Sequence, residues 1–423
     1  MRQFAFHAGG AARRALFLIL DGLGDLPAPA FGGRTPLEAA STPRLDRLAA
    51  AGWFGLVDPI GIDVIPNTHT GVGMLLGLRP DQAGRLSRGP VEAAGAGCVL
   101  QPGDVAFRAN LATLERRADG FYVVDRRAGR ITVDAAKLAG ELRDIDLGDG
   151  VTARFVSTDQ HRGALVFSGA SLAAAVSDTD PGDRHAPDWL RPCTALAPGS
   201  ERTAAKVNAF IAATYERLRR HPVNARRQAR GKLPATAVIT RGAGAWAAFD
   251  PLLRDRGCRT AVVAGCNTVL GLARMFGMNT LTRRGFTASV DTDVEGKLEA
   301  ARAALDEHDL VYVHIKAPDL FSHDFQPEGK KAFIERVDQA LGVLEGSDAL
   351  FAVAADHSTD SNTGAHTADP VPVLIHDPLR ERAGAPVQFG ESACRDGNLP
   401  RQTGHEFLLQ VLDALQPASR PAR

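Results

Sequence analysis

The stretch Ala15-Leu16-Phe17-Leu18-Ile19-Leu20-Asp21-Gly22-Leu23-Gly24-Asp25 decides how the chain is read. Leu16–Leu20 is a short, unbroken apolar run, the pattern of a strand buried on both faces of a parallel sheet. It is far too short to cross a bilayer, which takes about 20 apolar residues. It also falls short of a usual secretory core, and Asp21 follows it directly. Asp21-Gly22-Leu23-Gly24-Asp25 reads as the loop after that strand. Thr42-Pro43 then reads as a helix cap followed by proline at the first helical position. Leu45, Leu48 and Ala49 recur at helical spacing, and Gly52 ends the helix.

The C-terminal half repeats this alternation. Thr260–Ala264, Leu310–Ile315, Leu350–Ala355 and Val371–Ile375 read as strands. Between them, Val294, Leu298, Ala301 and Leu305 mark one helix, and Phe333, Val337, Ala340, Leu341 and Leu344 another. Strands alternating with helices predict an α/β fold, a mostly parallel sheet sandwiched by helices. The middle of the chain differs. Asp104–Thr113, Phe121–Asp125, Arg154–Val156 and Ala164–Phe167 read as shorter strands separated by Asp-Gly turns. An amphipathic helix follows through Val207, Phe210, Ile211, Tyr215 and Leu218, and the basic stretch Asn224–Pro234 reads as a linker. The expected organisation is a core in two parts, residues 1–95 and 233–423, interrupted by a smaller inserted α+β domain at 96–232.

Composition narrows the function class. With 44% hydrophobic and 23% charged residues over 423 positions, the chain has the make-up of a folded enzyme, not of a disordered protein. Lys+Arg and Asp+Glu balance at 49 each, so no global charge draws it to nucleic acid or to a membrane, and neither partner is expected. Its five cysteines are scattered and form no C-x-x-C pair, which fits reduced thiols and a cytoplasmic location.

Three of the strand-like runs end in groups able to bind metal. Leu16–Leu20 ends at Asp21. Leu310–Ile315 leads into Lys316-Ala317-Pro318-Asp319, with His323 four residues beyond Asp319. Leu350–Ala355 leads into Asp356-His357, with His366 in the following loop. In open α/β sheets the site lies at the carboxyl ends of the strands. A lone Asp after a strand is more often a helix cap, and a lone His in a loop is usually solvated. The joint pattern is harder to dismiss, because every group follows a strand-like run. Carboxylates and imidazoles suit zinc, manganese or similar divalent ions, and six of them exceed one tetrahedral shell. They suit a two-metal phosphoryl-transfer centre.

The same residues resemble a known family. Leu20-Asp21-Gly22-Leu23-Gly24-Asp25, Arg88-Gly89-Pro90-Val91-Glu92-Ala93, Asp104–Asn110, Asp125-Arg126-Arg127-Ala128-Gly129-Arg130-Ile131, His314–Asp319 through His323-Asp324, and Asp356-His357-Ser358-Thr359 are similar to segments of archaeal-type, 2,3-bisphosphoglycerate-independent phosphoglycerate mutases, and occur in the family's order. The resemblance implies an alkaline-phosphatase-like fold, two divalent ions (manganese or zinc), no 2,3-bisphosphoglycerate and a small phosphorylated acid as substrate. It implies Asp319, His323 and His366 as ligands of one ion. It implies Asp21, Asp356 and His357 as ligands of the other, together with the nucleophile. Thr68, in Pro66-Asn67-Thr68-His69-Thr70-Gly71-Val72, aligns with the family's nucleophilic serine. Arg108, Arg126, Arg127, Arg130, His161 and Arg162 become candidate substrate-binding residues, since guanidinium forks match phosphate and carboxylate.

Three positions depart from the family pattern. Thr68 replaces serine, His69 replaces aspartate, and Leu270 stands where the family tends to place a lysine. The expected reaction is conversion of 3-phosphoglycerate to 2-phosphoglycerate through a phosphothreonine. The departures motivate a second reading, a metal-dependent phosphomonoesterase or a mutase on another phosphorylated or phosphonate metabolite. A third reading, a non-catalytic protein that kept the fold, is disfavoured by the complete ligand set.

Overall fold

The structure, a computed structural model, describes residues 14–182 and 188–415. The chain divides into two compact units, residues 1–83 with 249–423 and residues 84–248.

The first unit is built on one eight-stranded sheet. Its strands, numbered in chain order, are β1 (Ala15–Leu20), β2 (Trp53–Asp58), β3 (Thr260–Val263), β4 (Asn279–Leu281), β5 (Leu310–Ile315), β6 (Leu350–Ala354), β7 (Val371–His376) and β8 (Gln402–Thr403). They lie in the order β4-β3-β5-β1-β6-β7-β2-β8. Neighbours from β4 to β6 pair in parallel, as do β2 and β8, whereas β7 runs antiparallel to both β6 and β2. The sheet is therefore the expected mostly parallel one with a single reversed strand. Every residue of β1, β5 and β6 is buried, as unbroken apolar runs at the centre of a helix-covered sheet require.

Register places the site. Leu20 pairs with Ile315 and Ile19 with Ala354, so β1, β5 and β6 end in step. Continued past those pairs, one step on the β5 side and two on the β6 side, the register sets Asp21 beside Lys316 on one flank and Asp356 on the other. The helix Pro43–Ala51 begins where Thr42 and Pro43 imply, but the Thr42 side chain does not cap it. Its free amides are taken by Asp338, whose Oδ1 accepts from Leu45 N at 2.8 Å and Arg44 N at 3.0 Å. The cap comes from a helix nearly 300 positions away, which local sequence cannot reveal.

The second unit carries an antiparallel sheet around the long strand Val105–Arg117. Arg162–Ser168 and Ala237–Ala245 flank its first half, and Gly120–Asp125 pairs with its second half. The helix Glu201–Leu218 closes the core with Phe210, whose ring lies 5.8 Å from that of Phe167. This unit is wider than the expected 96–232. The helix Arg88–Gly95 packs so closely that a Cβ at Gly89 would come within 2.0 Å of Ala106 O, and Ala237–Ala245 is a full strand of the sheet. Nor is Asn224–Pro234 a linker. Pro222–Ala229 is helical, and the buried Asn224 amide bonds Leu218 O, Ala235 O and Ala235 N. Its basic residues had disguised one buried face.

Leu18 sits at the centre of β1 with no exposed surface. Leu18→Ala is expected to destabilise the first unit by about 2–5 kcal/mol, the usual cost of a cavity in a core that cannot collapse. Urea unfolding followed by circular dichroism measures it. A midpoint equal to that of the parent would contradict the central placement of β1.

Candidate metal and phosphoryl-transfer site

The step after β1 turns at Gly22, whose φ of +63° is left-handed. A Cβ there would stand 2.8 Å from both Asp319 Cβ and Thr359 Oγ1, so glycine is required by conformation and by space. The Gly22 amide donates to Asp356 Oδ1 at 3.1 Å, tying the ends of β1 and β6. Asp319 and His323 lie on the short helix Ala317–His323 directly after β5. His366 lies on Ala365–Thr367, paired with Ser358–Asp360. Thr68 is the first residue of the helix Thr68–Leu75, after Asn67 at the cap position, and its hydroxyl is half-buried. The turn is held by Asn67 N donating to Thr70 Oγ1.

All seven side chains meet at one edge of the sheet, in two sets. Asp319 Oδ1 lies 3.3 Å from His323 Nε2 and 3.4 Å from His366 Nε2, and the two imidazole nitrogens are 3.3 Å apart. A tetrahedral ion with bonds of about 2.0–2.1 Å has edges of roughly 3.3 Å between its ligands, so this triangle has the size of one face of such a shell. In the other set, His357 Nε2 lies 3.2 Å from Asp356 Oδ2, 3.4 Å from Asp21 Oδ1 and 3.4 Å from Thr68 Oγ1. The His357 and His366 rings stack at 3.8 Å, joining the sets.

Hydrogen bonding fixes what each imidazole offers. His323 Nδ1 lies 2.7 Å from Gly364 O and His366 Nδ1 3.0 Å from Pro66 O, so Nδ1 donates and Nε2 keeps its lone pair. Thr359 Oγ1 donates to Asp319 Oδ1 at 2.9 Å and therefore accepts from His357 Nδ1 at 3.0 Å. In their neutral forms all three histidines thus turn an Nε2 lone pair inward, although at His366 burial is overridden by Asp319, which raises its pKa. Asp356 Oδ2 is buried and meets no hydrogen-bond donor among the described residues. A buried carboxylate oxygen without a donor, beside convergent imidazole lone pairs, fits a divalent cation.

The charges tell the same story. Burial pushes Asp356 well above the usual carboxylate range, helped by the neighbouring charge of Asp21. Burial would also raise Asp21 and Asp319. Lys316 overrides it for both, aided by His314 and His357 at Asp21 and by His366 and His357 at Asp319, and both carboxyls are held low. Lys316 is itself buried, which would lower it, but Asp21, Asp319 and Asp356 hold it protonated. Its Nζ donates to Asp21 Oδ1 at 2.7 Å and to Thr68 Oγ1 at 3.0 Å, and pairs with Asp319 Oδ2 at 2.7 Å. His314, which bonds Asp21 Oδ2 at 2.9 Å, Lys316 and Thr359 all lie within the family-like segments, but their residue types alone imply no role for them. Only strand register could have flagged them. Leu270 lies buried in the helix Asn267–Met275, and His69 follows Thr68 on its helix.

The second unit gathers a cationic cluster. Arg126 is buried and forks onto Asp180, Nε to Oδ1 at 2.7 Å and a terminal nitrogen to Oδ2 at 2.6 Å. Asn110 and Arg241 reach the same carboxylate. Burial pushes Arg108 down to about 9, with the charges of Arg88, Arg241 and Arg162 adding to the effect, and Arg108 has no hydrogen-bond or ion-pair partner among the described residues. Burial, then Arg162, Arg127, Arg126 and Arg108, push His161 down to about 4, and its Nδ1 meets no partner among the described residues. Arg130 is exposed on a left-handed turn (φ +53°), and it is not among the charges that shift Arg108 or His161. Arg241, paired with Arg108 across the strands, and Arg88, at the start of its helix, are not among the expected binding residues, yet both bear on Arg108.

Strand ends that gather carboxylates and imidazoles around a hydroxyl define a metal-dependent α/β enzyme. Comparison with known proteins says which one. A family model described as 2,3-bisphosphoglycerate-independent phosphoglycerate mutase matches residues 49–224. The chain is 43% identical over 418 residues to a mutase of that name from Methanopyrus kandleri, covering 96% of this chain and 97% of the relative. It is 40% identical to one from Archaeoglobus fulgidus, covering 96% and 98%. The solved cofactor-independent phosphoglycerate mutase from Thermoplasma acidophilum superposes with a TM-score of 0.69 at 30% identity, covering 96% of this chain and all of that one. The PH0037 protein of Pyrococcus horikoshii superposes with a TM-score of 0.80 at 28% identity, covering 98% and 100%. The chain belongs to the 2,3-bisphosphoglycerate-independent phosphoglycerate mutase family.

Two outcomes test this geometry. Thr359→Val keeps the volume but breaks the His357–Thr359–Asp319 link, so manganese affinity is expected to fall about 10- to 100-fold in a chelator-competition titration. Unchanged affinity would rule out a tuning role for Thr359. His161 titrates lower when folded than when unfolded, so its neutral form contributes stability above pH 6.5 that is lost as pH falls through about 4. Between pH 7 and 4, His161→Gln is expected to lose less stability than the parent, by on the order of 2 kcal/mol, read from urea titrations at each pH. Parallel pH profiles would refute it.

Proposed function

We propose that this protein interconverts 3-phosphoglycerate and 2-phosphoglycerate through a phosphothreonine at Thr68, without a bisphosphorylated cofactor. The observation that carries the reading is the place of the Thr68 hydroxyl, at the first turn of a helix, 3.4 Å from His357 Nε2 and 3.0 Å from Lys316 Nζ. Helix amides at that turn favour a bound phosphate. The names of the full-length relatives support the substrate.

Asp319, His323 and His366 would hold one divalent ion, and Asp21, Asp356 and His357 the other, with manganese or zinc suited to these donors. Such a pair supplies positive charge to the phosphoryl oxygens and lowers the pKa of a coordinated hydroxyl. The rest falls to the chain. Thr68 Oγ1 forms a bond to phosphorus as the bond from phosphorus to the substrate's O3 breaks, and the threonine proton passes to O3. The substrate's 2-hydroxyl then attacks the same phosphorus and gives up its proton as the Thr68 Oγ1–phosphorus bond breaks. Thr68 recovers a proton, and phosphate, oxygen and proton counts balance. Arg108, Arg126, Arg127, His161 and Arg162 would recognise anionic groups of a phosphorylated acid. Arg126 shares its fork with Asp180, so Arg108, which has no ion-pair partner among the described residues, is the stronger candidate.

No helix among the described residues is long and apolar enough to cross a membrane. Scattered cysteines with no disulfide among the described residues support a cytoplasmic location, and glycolysis is the pathway the substrate implies.

Manganese-loaded protein given 3-phosphoglycerate is expected to form 2-phosphoglycerate, detected with a coupled enolase, and Thr68→Ala should lower the rate by at least about 10³-fold. Release of free phosphate without 2-phosphoglycerate would refute the mutase reading. Activity surviving in Thr68→Ala would remove Thr68 from the mechanism.

A further inference from the structure

The proposed reaction makes a double demand on one oxygen, which a cation besides the metal pair would help to meet. Thr68 Oγ1 must serve as nucleophile in one half-reaction and as leaving group in the other, and a threonine alkoxide is a poor leaving group unless a fixed cation bears on it. Leu270, the position where a lysine is expected, is an apolar residue on a helix and cannot supply one.

Lys316 is placed for this task. It is the first residue after β5, and the pairing of Leu20 with Ile315 sets it beside Asp21. Its side chain is only 16% exposed. The ammonium has three protons and three acceptors, Asp21 Oδ1, Asp319 Oδ2 and Thr68 Oγ1, at 2.7, 2.7 and 3.0 Å. One carboxylate comes from each donor set, so the nitrogen stands between the sets and against the hydroxyl. Asp21 is positioned in turn by His314, and Asp319 by Thr359. The lysine is therefore held by the sheet and by two oriented carboxylates, and needs no rearrangement to reach the threonine oxygen.

Resting on the nucleophile role of Thr68, we propose that Lys316 is a catalytic residue of the phosphoryl transfer, donating a charge-assisted hydrogen bond to Thr68 Oγ1 and replacing the cation absent at position 270. It stabilises the oxygen as it forms and breaks its bond to phosphorus, and it spreads positive charge over the equatorial phosphoryl oxygens, where transition-state charge lies. It does not donate its proton.

The test compares Lys316→Met, Lys316→Arg and the double variant Lys316→Met/Leu270→Lys with the parent, each at saturating manganese and with metal content measured. Two readouts are taken: turnover of 3-phosphoglycerate, and affinity for orthovanadate as a phosphoryl mimic. A third follows the intact mass of the protein after mixing with substrate, which shows retained phosphoryl groups. Lys316→Met is expected to load metal, to lose about 10²-fold or more in turnover, to bind vanadate about tenfold more weakly and to retain phosphothreonine. Lys316→Arg keeps the charge and should fall between, and Leu270→Lys should restore part of the loss. If Lys316→Met fails to fold, Lys316→Arg against the parent decides by the same readouts. A Lys316→Met protein within about threefold of the parent in turnover and vanadate affinity overturns the proposal. So does one that no longer takes up manganese, since Lys316 is then a structural cation. Should the parent form no 2-phosphoglycerate while Lys316→Met still weakens vanadate binding, the substrate assignment fails and the role of Lys316 stands.

Discussion

Three buried strands ending in step is the constraint on which the rest of this protein depends. The ladder that pairs Leu20 with Ile315 and Ile19 with Ala354 brings Asp21, Lys316 and Asp356 to one line at the sheet edge. A slip of one residue would turn each side chain to the opposite face. Packing prevents the slip, because β1, β5 and β6 bury every side chain and helices cover both faces. The price of the arrangement is electrostatic. Three carboxylates meet where water is excluded, and their mutual repulsion, opposed within the chain chiefly by Lys316, is what divalent cations relieve.

Behind the carboxylates lies a second buried charge pair. Lys330 and Asp25 have no exposed side-chain surface and meet at 2.7 Å. Lys330 also donates to Gly24 O and Thr359 O, while Asp25 Oδ1 accepts from Leu26 N and from both Ser361 N and its hydroxyl. The pair thus locks the loop after β1 to the segment that carries Thr359 and leads to His366. A buried pair of this kind adds little net stability, but breaking it leaves a lone charge in the core. Its consequence here is positional: the two loops that bear Asp21 and His357 cannot move independently.

The second unit poses the opposite electrostatic problem. Arg88, Arg162 and Arg241 bear on Arg108, and Arg108, Arg126, Arg127 and Arg162 bear on His161, with Asp180 as counter-charge to Arg126 and Arg241. Guanidinium groups keep their charge under nearly all conditions, so a crowd of them is stable only with anions at hand. Asp180 satisfies Arg126 and approaches Arg241, and Arg108 is left to external anions among the described residues. One unit therefore concentrates negative charge suited to cations, and the other positive charge suited to a phosphorylated acid.

Much of this was legible in one dimension. The unbroken apolar runs of β1, β5 and β6 announced central parallel strands, and the acidic or imidazole residues after them announced a site at the carboxyl edge. Other features were not. The reversed direction of β7 cannot be read from Val371–His376, since a buried run looks alike in either direction. Ala237–Ala245 hid as a strand because its glycines and its arginine break the expected alternation. The segment 224–234 looked like a linker because its many basic residues hide two buried polar anchors, Asn224 and Arg227. Lys316 was in plain sight, yet its contact with Thr68 spans 248 positions. By itself the sequence determined the central strands β1, β5 and β6, the residue types gathered after them and the family, because these follow from local periodicity and residue type. Tertiary structure alone decided which lone pair each histidine turns inward, which arginines stand together and which lysine touches the Thr68 hydroxyl. Those depend on register and on hydrogen bonds between distant segments, which no local pattern encodes.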